Sequence, residues 1–256
     1  MVLNSARQRF LGGLGDILDG GLSLIFPDAC QLCGVHRARA AEGYVCRDCA
    51  TRAGHVTWVR RPFCSRCGLP YPGEISVEFV CGNCADLDLQ FDWARASVVA
   101  TPFLLDVIHR YKYGRATFFE PFLGGLLERE AVPGLAGGGW DGLVPVPLHP
   151  VREREREFNQ AERLARWLGR ATGIPLETGL VRRGSATRVQ ASLDRRERVR
   201  NVAAAFRVGD PERVAGRRWV VVDDVLTTGA TTSAVAGALR EAGARAVVVW
   251  TLARGA

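Results

Sequence analysis

The chain has 256 residues, of which 47% are hydrophobic and 24% are charged, and both fractions are ordinary for globular proteins. These values exclude a disordered or collagen-like chain and a disulfide-stapled miniprotein, and they leave room for a sizeable core. The net charge is +7, but the excess is local, because residues 152–218 alone hold 17 basic and 9 acidic side chains. All eight cysteines precede residue 85, and Lys112 is the single lysine among 34 basic residues. The sequence therefore predicts two modules with different chemistry.

Residues 1–27 predict an amphipathic helix. Apolar residues recur there mostly at three- and four-residue intervals, which form one helical face: Phe10, Leu14, Ile17, Leu18, Leu22 and Ile25. The longest apolar run, residues 22–26, is too short to span a bilayer. Asp16 and Asp19 interrupt any secretory signal core. We expect a helix docked on its own protein in a cytoplasmic chain, with a membrane-surface or partner-binding helix as the alternative.

Residues 28–91 predict a double zinc ribbon. Four Cys-x-x-Cys pairs follow one another at intervals of 12, 14 and 13 residues: Cys30, Cys33, Cys46, Cys49, Cys64, Cys67, Cys81 and Cys84. Two such pairs complete a tetrahedron around one zinc ion, and four thiolates leave no open catalytic position. A disulfide framework would require an oxidising compartment, and a thioredoxin-like site would require a different context. We expect two structural Zn2+ ions. Spacing leaves sequential and cross-braced ligand pairing open.

Residues 92–256 predict an α/β domain. In chain order, we expect a helix over 103–113, a strand from Gly142 that runs into a proline-rich turn, and a charged helix start over 152–157. Residues 184–201 lack a clear apolar period. The apolar run 220–222, a helix from Thr231 and a strand over 246–252 form a βαβ unit. Such units build parallel sheets covered by helices.

The turn after residues 220–222 has the composition of a sugar-phosphate site. Two carboxylates, Asp223 and Asp224, follow the apolar run, and a small hydroxyl-rich turn then opens the helix: Thr227, Thr228, Gly229, Ala230 and Thr231. Free N–H groups and the positive end of the helix dipole attract a phosphate there. The carboxylates suit sugar hydroxyls or a hydrated magnesium ion. A ribose 5-phosphate moiety fits both halves, whereas the P-loop pattern of NTPases is absent.

This stretch resembles the signature of the type I phosphoribosyltransferases, which bind phosphoribosyl pyrophosphate (PRPP). Together with the cysteine-rich N-terminus, it makes the chain similar to the ComF family of ComFC-like and GntX-like proteins. Further segments share that pattern: 108–114, 144–150, 156–161, Thr187 with Gln190, and 195–201. The resemblance implies a type I phosphoribosyltransferase fold, with a mainly parallel sheet flanked by helices, behind the zinc-ribbon module. Where this chain has Glu157 the family usually has glycine, so extra negative charge is expected beside a phosphate site.

The resemblance also implies roles for individual residues. Asp223 and Asp224 would hold the ribose hydroxyls, and the turn 227–231 would hold the 5-phosphate, with Mg2+ accompanying PRPP. Five residues would serve the pyrophosphate or a mobile hood: Lys112, Arg152, Arg156, Thr187 and Gln190. The alternatives are a solvated helix start for the arginines, a charged connector for the hood and a simple helix end for Lys112.

The expected function is transfer of the phosphoribosyl group from PRPP to an unidentified acceptor, with a link to DNA uptake. The alternative is a non-catalytic accessory protein of natural transformation that senses PRPP or binds single-stranded DNA. The charge distribution favours the basic stretch 152–218 over the ribbons as a nucleic-acid surface. The arginine excess fits phosphate recognition, although a genome rich in arginine codons would give the same count.

Overall fold

The computed structural model describes residues 28–75, 77–184 and 205–255. The expected N-terminal helix over residues 1–27 lies outside these ranges. The hood residues Thr187 and Gln190 also lie outside them. No helix among the described residues is both long and apolar enough to cross a membrane.

A four-stranded sheet of parallel strands forms the centre of the larger domain. Its strands are β1 (Ala94–Val99), β2 (Gly142–Pro145), β5 (Arg218–Leu226) and β6 (Ala246–Arg254), in the order β1-β6-β5-β2. Two short strands, β3 (Val181–Arg183) and β4 (Phe206–Val208), pair antiparallel in a separate sheet. The mainly parallel α/β arrangement expected from the sequence is confirmed.

The described part of the chain contains seven α-helices, the first two within the ribbons. They are α1 (Arg47–Thr51), α2 (Gly82–Ala85), α3 (Pro102–Tyr113), α4 (Glu120–Leu135), α5 (Pro150–Arg156), α6 (Gln160–Thr172) and α7 (Ala230–Glu241). Local sequence explains their starts. Pro102 occupies the first turn of α3, and the Thr101 hydroxyl accepts a hydrogen bond from Leu104 N–H at 3.2 Å.

Alternate residues of β5 face two different cores. Val220 and Val222 pack in the same cluster as buried leucines of α4 and α6, whereas Val221 packs with α7. This alternation follows from the two-residue period of a strand, and burial on both faces explains the continuous apolar run. The first ribbon contributes cysteines to the former core, and Leu89 and Phe91, which follow the last cysteine, join the latter.

The observed elements differ from the predicted ones mainly at their ends. The strand from Gly142 stops at Pro145, where a loop containing Pro147 leaves the sheet. Proline lacks the N–H donor that a strand ladder uses, so the chain turns away. The last strand extends to Arg254, two residues beyond the predicted end.

Candidate functional site

The eight cysteines form two four-sulfur clusters. Cys30, Cys33, Cys46 and Cys49 form one, and Cys64, Cys67, Cys81 and Cys84 form the other, with ligand atoms within 4.8 Å of one another. Sγ–Sγ distances of 3.8 Å (Cys33 to Cys46) and 3.7 Å (Cys67 to Cys81) fit a tetrahedron, since Zn–S bonds of about 2.3 Å place sulfurs about 3.8 Å apart. A disulfide requires about 2 Å. Ligand pairing is therefore sequential, and each cluster is a structural zinc-binding site.

Backbone donors favour the thiolate form at two of these sulfurs, whereas burial raises the thiol pKa of Cys46, Cys49, Cys81 and Cys84. The N–H of Cys46 donates to Cys30 Sγ, and the N–H of Cys81 donates to Cys64 Sγ, each at 3.3 Å. Backbone N–H groups of His36 and Val35 lower the pKa of the Cys33 thiol to about 6. Burial raises the pKa of Cys64, but the N–H groups of the surrounding turn outweigh it and lower the value to about 7. Thiolates are the form that binds zinc.

The candidate phosphate loop, residues 226–231, runs from the last residue of β5 into the first two residues of α7 and contains the predicted turn 227–231. Gly229 precedes α7 with φ of +79°, a left-handed conformation that glycine adopts without strain. The Thr228 hydroxyl accepts a hydrogen bond from Ala230 N–H at 3.3 Å, and both Thr227 and Thr228 are exposed. An accessible turn with two hydroxyls therefore opens a 12-residue helix, as the sequence predicts.

The acidic pair lies near the carboxyl end of β5. Asp224 is only 4% exposed, and its Oδ1 accepts a hydrogen bond from Val225 N–H at 2.9 Å. Its Oδ2 forms an ion pair with Lys112 Nζ. Asp223 Oδ1 accepts from Asp224 N–H at 2.9 Å. Burial, followed by the charge of Asp224, raises the pKa of Asp223 well above its usual range, while Lys112 opposes that shift.

The chain segments expected to hold pyrophosphate converge on the same edge of the sheet. Val146 N–H, just after β2, donates to Val222 O at 2.9 Å, so the proline loop follows the strand that neighbours β5. Ligand sites of parallel α/β sheets lie at the carboxyl ends of their strands. Lys112 reaches this edge from the last turn of α3.

Arg156 and Arg152 occupy different environments on α5. Arg156 is buried and donates to Tyr113 Oη at 2.7 Å and to Gln160 Oε1 at 3.0 Å, and its guanidinium lies 4.6 Å from the Tyr113 ring centroid. The structure thus places Arg156 beside Tyr113, the last residue of α3. Arg152 is exposed. Burial, followed by the charge of Arg152, lowers the pKa of Arg183, so α5 lies near β3.

Glu157 adopts a backbone conformation that explains the glycine expected at its position. Its φ is +65°, and its carboxylate pairs with Arg115 Nη2 at 2.8 Å, both side chains being exposed. Arg115 also has positive φ, at +53°. A non-glycine residue in this region is strained. The structure therefore supplies a partner for the negative charge expected beside the phosphate site.

One buried arginine beside the candidate phosphate loop was not predicted from the sequence. Arg254 is 3% exposed and ends the otherwise apolar strand β6. It donates to Leu226 O and Thr227 O at 2.9 Å each, and its Nη2 lies 3.3 Å from Cys67 Sγ. The available signal was an arginine that follows the mostly apolar run 246–253, because a charge at the end of a buried strand needs partners.

Comparison with known proteins gives sequence relatives along most of the chain. Residues 21–85 match a family model described as a double zinc ribbon domain. The chain is 35% identical over 236 residues to DNA utilization protein YhgH of Escherichia coli (strain K12), covering 90% of this chain and 99% of that protein. It is 31% identical over 201 residues to competence protein F of Haemophilus influenzae, covering 75% and 85%.

Among solved structures, two similar ones are the allosteric regulatory enzyme of purine biosynthesis and the glutamine PRPP amidotransferase of B. subtilis. Their sequence identities are 27% and 25%, each with a TM-score of 0.34 over 50% of this chain. The chain spans about a quarter of the length of each of those proteins.

Proposed function

This chain belongs to the ComF family, that of DNA utilization protein YhgH and competence protein F, and from that premise we propose that it is a phosphoribosyltransferase-like enzyme that binds PRPP. One observation carries the proposal. The carboxylates of Asp223 and Asp224 lie near the end of a buried parallel strand, just before a loop that opens α7 and exposes Thr227 and Thr228. Acidic groups for a sugar diol and a helix N-terminus for a phosphate then stand a few residues apart.

The loop and the acidic pair bind different parts of PRPP. Backbone N–H groups and the hydroxyls of Thr227, Thr228 and Thr231 hold the 5-phosphate. Asp223 and Asp224 accept hydrogen bonds from the ribose hydroxyls and stabilise positive charge that develops on the sugar as pyrophosphate departs. Positioning and electrostatic stabilisation then provide the catalysis, and no covalent protein nucleophile is needed.

Lys112 prepares the acidic pair before substrate binds. Its ammonium pairs with Asp224 Oδ2, and its charge opposes the burial that raises the pKa of Asp223. When PRPP arrives, Lys112 and two arginines of α5, Arg152 and Arg156, face the pyrophosphate from the neighbouring elements. The carboxylate oxygens of the acidic pair are donors of the type that magnesium prefers. Mg2+, when bound, neutralises pyrophosphate charge. Thr187 and Gln190, which lie outside the described residues, belong in this proposal as parts of a hood over the ligand.

The zinc ribbons have a structural role in this proposal, and the family names favour a link to DNA uptake. Thiolate zinc sites suit a reducing compartment, so a cytoplasmic location is proposed as well. The acceptor of the phosphoribosyl group is unassigned. Fold alone does not specify it, because acceptor recognition is set by the site and not by the architecture.

A turnover assay distinguishes an enzyme that consumes PRPP from a protein that only senses it. Full-length protein would be incubated with PRPP, Mg2+ and panels of amines, bases and hydroxyl compounds, and pyrophosphate release would be followed. Acceptor-dependent release that disappears in the Asp223→Asn/Asp224→Asn variant is the expected result. The control variant Asp86→Asn/Asp88→Asn removes the same charge from exposed linker positions. Tight PRPP binding without release for any acceptor would favour the sensing role instead.

A further inference from the structure

Arg254 connects the second four-cysteine site directly to the candidate phosphate loop. Its Nε donates to Cys67 O at 3.1 Å and its Nη2 to Cys67 Sγ at 3.3 Å. Its Nη1 donates to Leu226 O and Thr227 O, each at 2.9 Å, and also to Gly255 O. One buried guanidinium thus holds a zinc ligand on one side and two loop carbonyls on the other.

A second connection runs from the same cysteine turn through the linker that follows the ribbon. Arg66, between Cys64 and Cys67, donates from Nη2 to Leu89 O at 2.8 Å and to Phe91 O at 3.3 Å. The Leu89 and Phe91 side chains flank Gly229, where a Cβ would lie 3.7 and 3.6 Å from them. The phosphate loop therefore rests on residues that the second ribbon positions.

The linker also contacts the first turn of α7. Gln90 N–H donates to the Ser233 hydroxyl at 3.0 Å, and Ser233 N–H donates to Gly229 O at 2.8 Å. Both connections consequently end within the loop or within one helical turn of it.

Charge explains why zinc matters for Arg254. Four thiolates around one Zn2+ carry a net charge of about −2, and Cys67 Sγ is the zinc-bound atom that Arg254 reaches. Hydrogen bonds between a charged donor and a charged acceptor are the strong ones, and a buried cation requires such partners. When zinc leaves, the four sulfurs are no longer held around one centre, and the guanidinium loses this fixed acceptor.

The first ribbon has different contacts and provides a control within the same chain. Thr101 Oγ1, at the start of α3, donates to His55 O at 2.6 Å, and Arg110 Nη1 donates to Gln31 O at 3.3 Å. These bonds join the first ribbon to α3, on residues away from the loop.

We propose that zinc in the second four-cysteine site controls the conformation of the phosphate loop, and that Arg254 is the positioning residue that couples them. Linkage is reciprocal, so a ligand held by the loop retains zinc in that site, and loss of that zinc weakens ligand binding. The coupling itself concerns only contacts within the chain. Its ligand-dependent half rests on the proposed PRPP function.

The coupling is tested first without ligand, on the full-length protein. Zinc release to a chromogenic chelator would be followed in wild type and in Arg254→Met, with the second-site phase identified by its absence in Cys84→Ser. Hydrogen exchange of the amides of the candidate phosphate loop, residues 226–231, would be measured in parallel. Removing a charge-assisted bond predicts release from the second site about tenfold faster, unchanged release from the first site, and faster exchange in the loop.

Two further variants keep this test decisive. Arg254→Lys retains the charge without the planar fork and should give a smaller acceleration, so it replaces Arg254→Met if that variant does not fold. Arg110→Met removes an arginine that contacts the first ribbon and should leave second-site release and loop exchange unchanged. Wild-type release and wild-type loop exchange in both Arg254 variants would overturn the proposal.

The ligand then distinguishes this proposal from the proposed function. Saturating PRPP should slow second-site zinc release in wild type by at least about tenfold more than in Arg254→Met. If PRPP does not bind wild type, the proposed function fails, and the ligand-free exchange data still decide the coupling. If PRPP binds wild type but slows zinc release equally in both proteins, the coupling fails while the function stands.

Discussion

Lys112 Nζ forms an ion pair with Asp224 Oδ2, which ties the last turn of α3 to the acidic pair near the end of β5. Both side chains are shielded, with exposed fractions of 18% and 6%. A buried carboxylate without a cation would be costly. The single lysine of the chain therefore lies at the point where the candidate substrate site needs positive charge.

Replacing Lys112 with methionine should destabilise the protein, because it leaves the Asp224 charge buried without its cation. We expect a loss of about 2–3 kcal/mol in the free energy of unfolding, measured in urea at pH 7. Lys112→Met/Asp224→Asn should recover most of that loss. Arg110→Met, on the exposed side of α3, serves as the control. Equal stabilities for wild type and Lys112→Met would contradict a paired Asp224.

The raised pKa of Asp223 predicts that Asp223→Asn increases the stability of the fold by an amount that depends on pH. Burial and Asp224 raise this pKa in the folded state, so the folded protein binds the proton more tightly than the unfolded chain. Wild type therefore loses stability as the pH rises from the ordinary value of 3.8 through the raised pKa. Asparagine does not ionise, so Asp223→Asn removes this loss of stability.

Asp223→Asn should accordingly raise the unfolding temperature more at pH 8 than at pH 5, although it weakens substrate binding. Asp210→Asn, at an exposed position, is the control. A gain that is the same at both pH values, or larger at pH 5, would show that the carboxylate is not disfavoured by its surroundings.

Glu157→Gly should stabilise the protein, since residue 157 has positive φ. The substitution relieves left-handed strain, and the extra freedom of glycine in the unfolded chain offsets part of this effect. We expect the free energy of unfolding to rise by about 0.5–1 kcal/mol. The exposed Arg115 pair contributes little. Glu155→Gly, inside α5, should instead lower the free energy of unfolding by about 1 kcal/mol. Chemical denaturation distinguishes the two variants, and a loss for both would argue against strain at residue 157.

Zinc removal should affect the whole fold through the first ribbon, because Cys30, Cys46 and Cys49 belong to the same buried cluster as the leucines of α4 and α6. Elemental analysis should find two zinc ions per chain in wild type and one in Cys49→Ser. The unfolding temperature of Cys49→Ser should fall by several degrees. An unchanged unfolding temperature with one zinc lost would show that the first ribbon does not support the domain.

Local patterns in the sequence predicted much of this site. The remainder depends on contacts between residues far apart in the sequence, which such patterns do not contain. Cysteine spacing identified all eight ligands, but their partition depends on how the turns pack. The order of acidic pair, loop and helix was readable because it lies within one βαβ unit. The contact between Lys112 and Asp224 could not be read in that way, since it depends on how α3 docks against the sheet edge.

Arg254 shows the same limit more clearly. It lies 187 residues from Cys67 in the sequence, and no periodicity connects the two. The strand that contains Arg254 was predictable from its apolar run, whereas the partners of its last residue depend on where the second ribbon packs. Glu157 was noticed as an unusual residue, but its positive φ became apparent only from the backbone.

Calorimetric titration of PRPP with Mg2+ tests the central claim most directly. Wild type and Asp86→Asn/Asp88→Asn should bind PRPP alike, and Asp223→Asn/Asp224→Asn should remain folded and bind it at least about tenfold more weakly, as expected when charge-assisted hydrogen bonds are lost. Unchanged PRPP affinity in a folded Asp223→Asn/Asp224→Asn protein would contradict the assignment of this site.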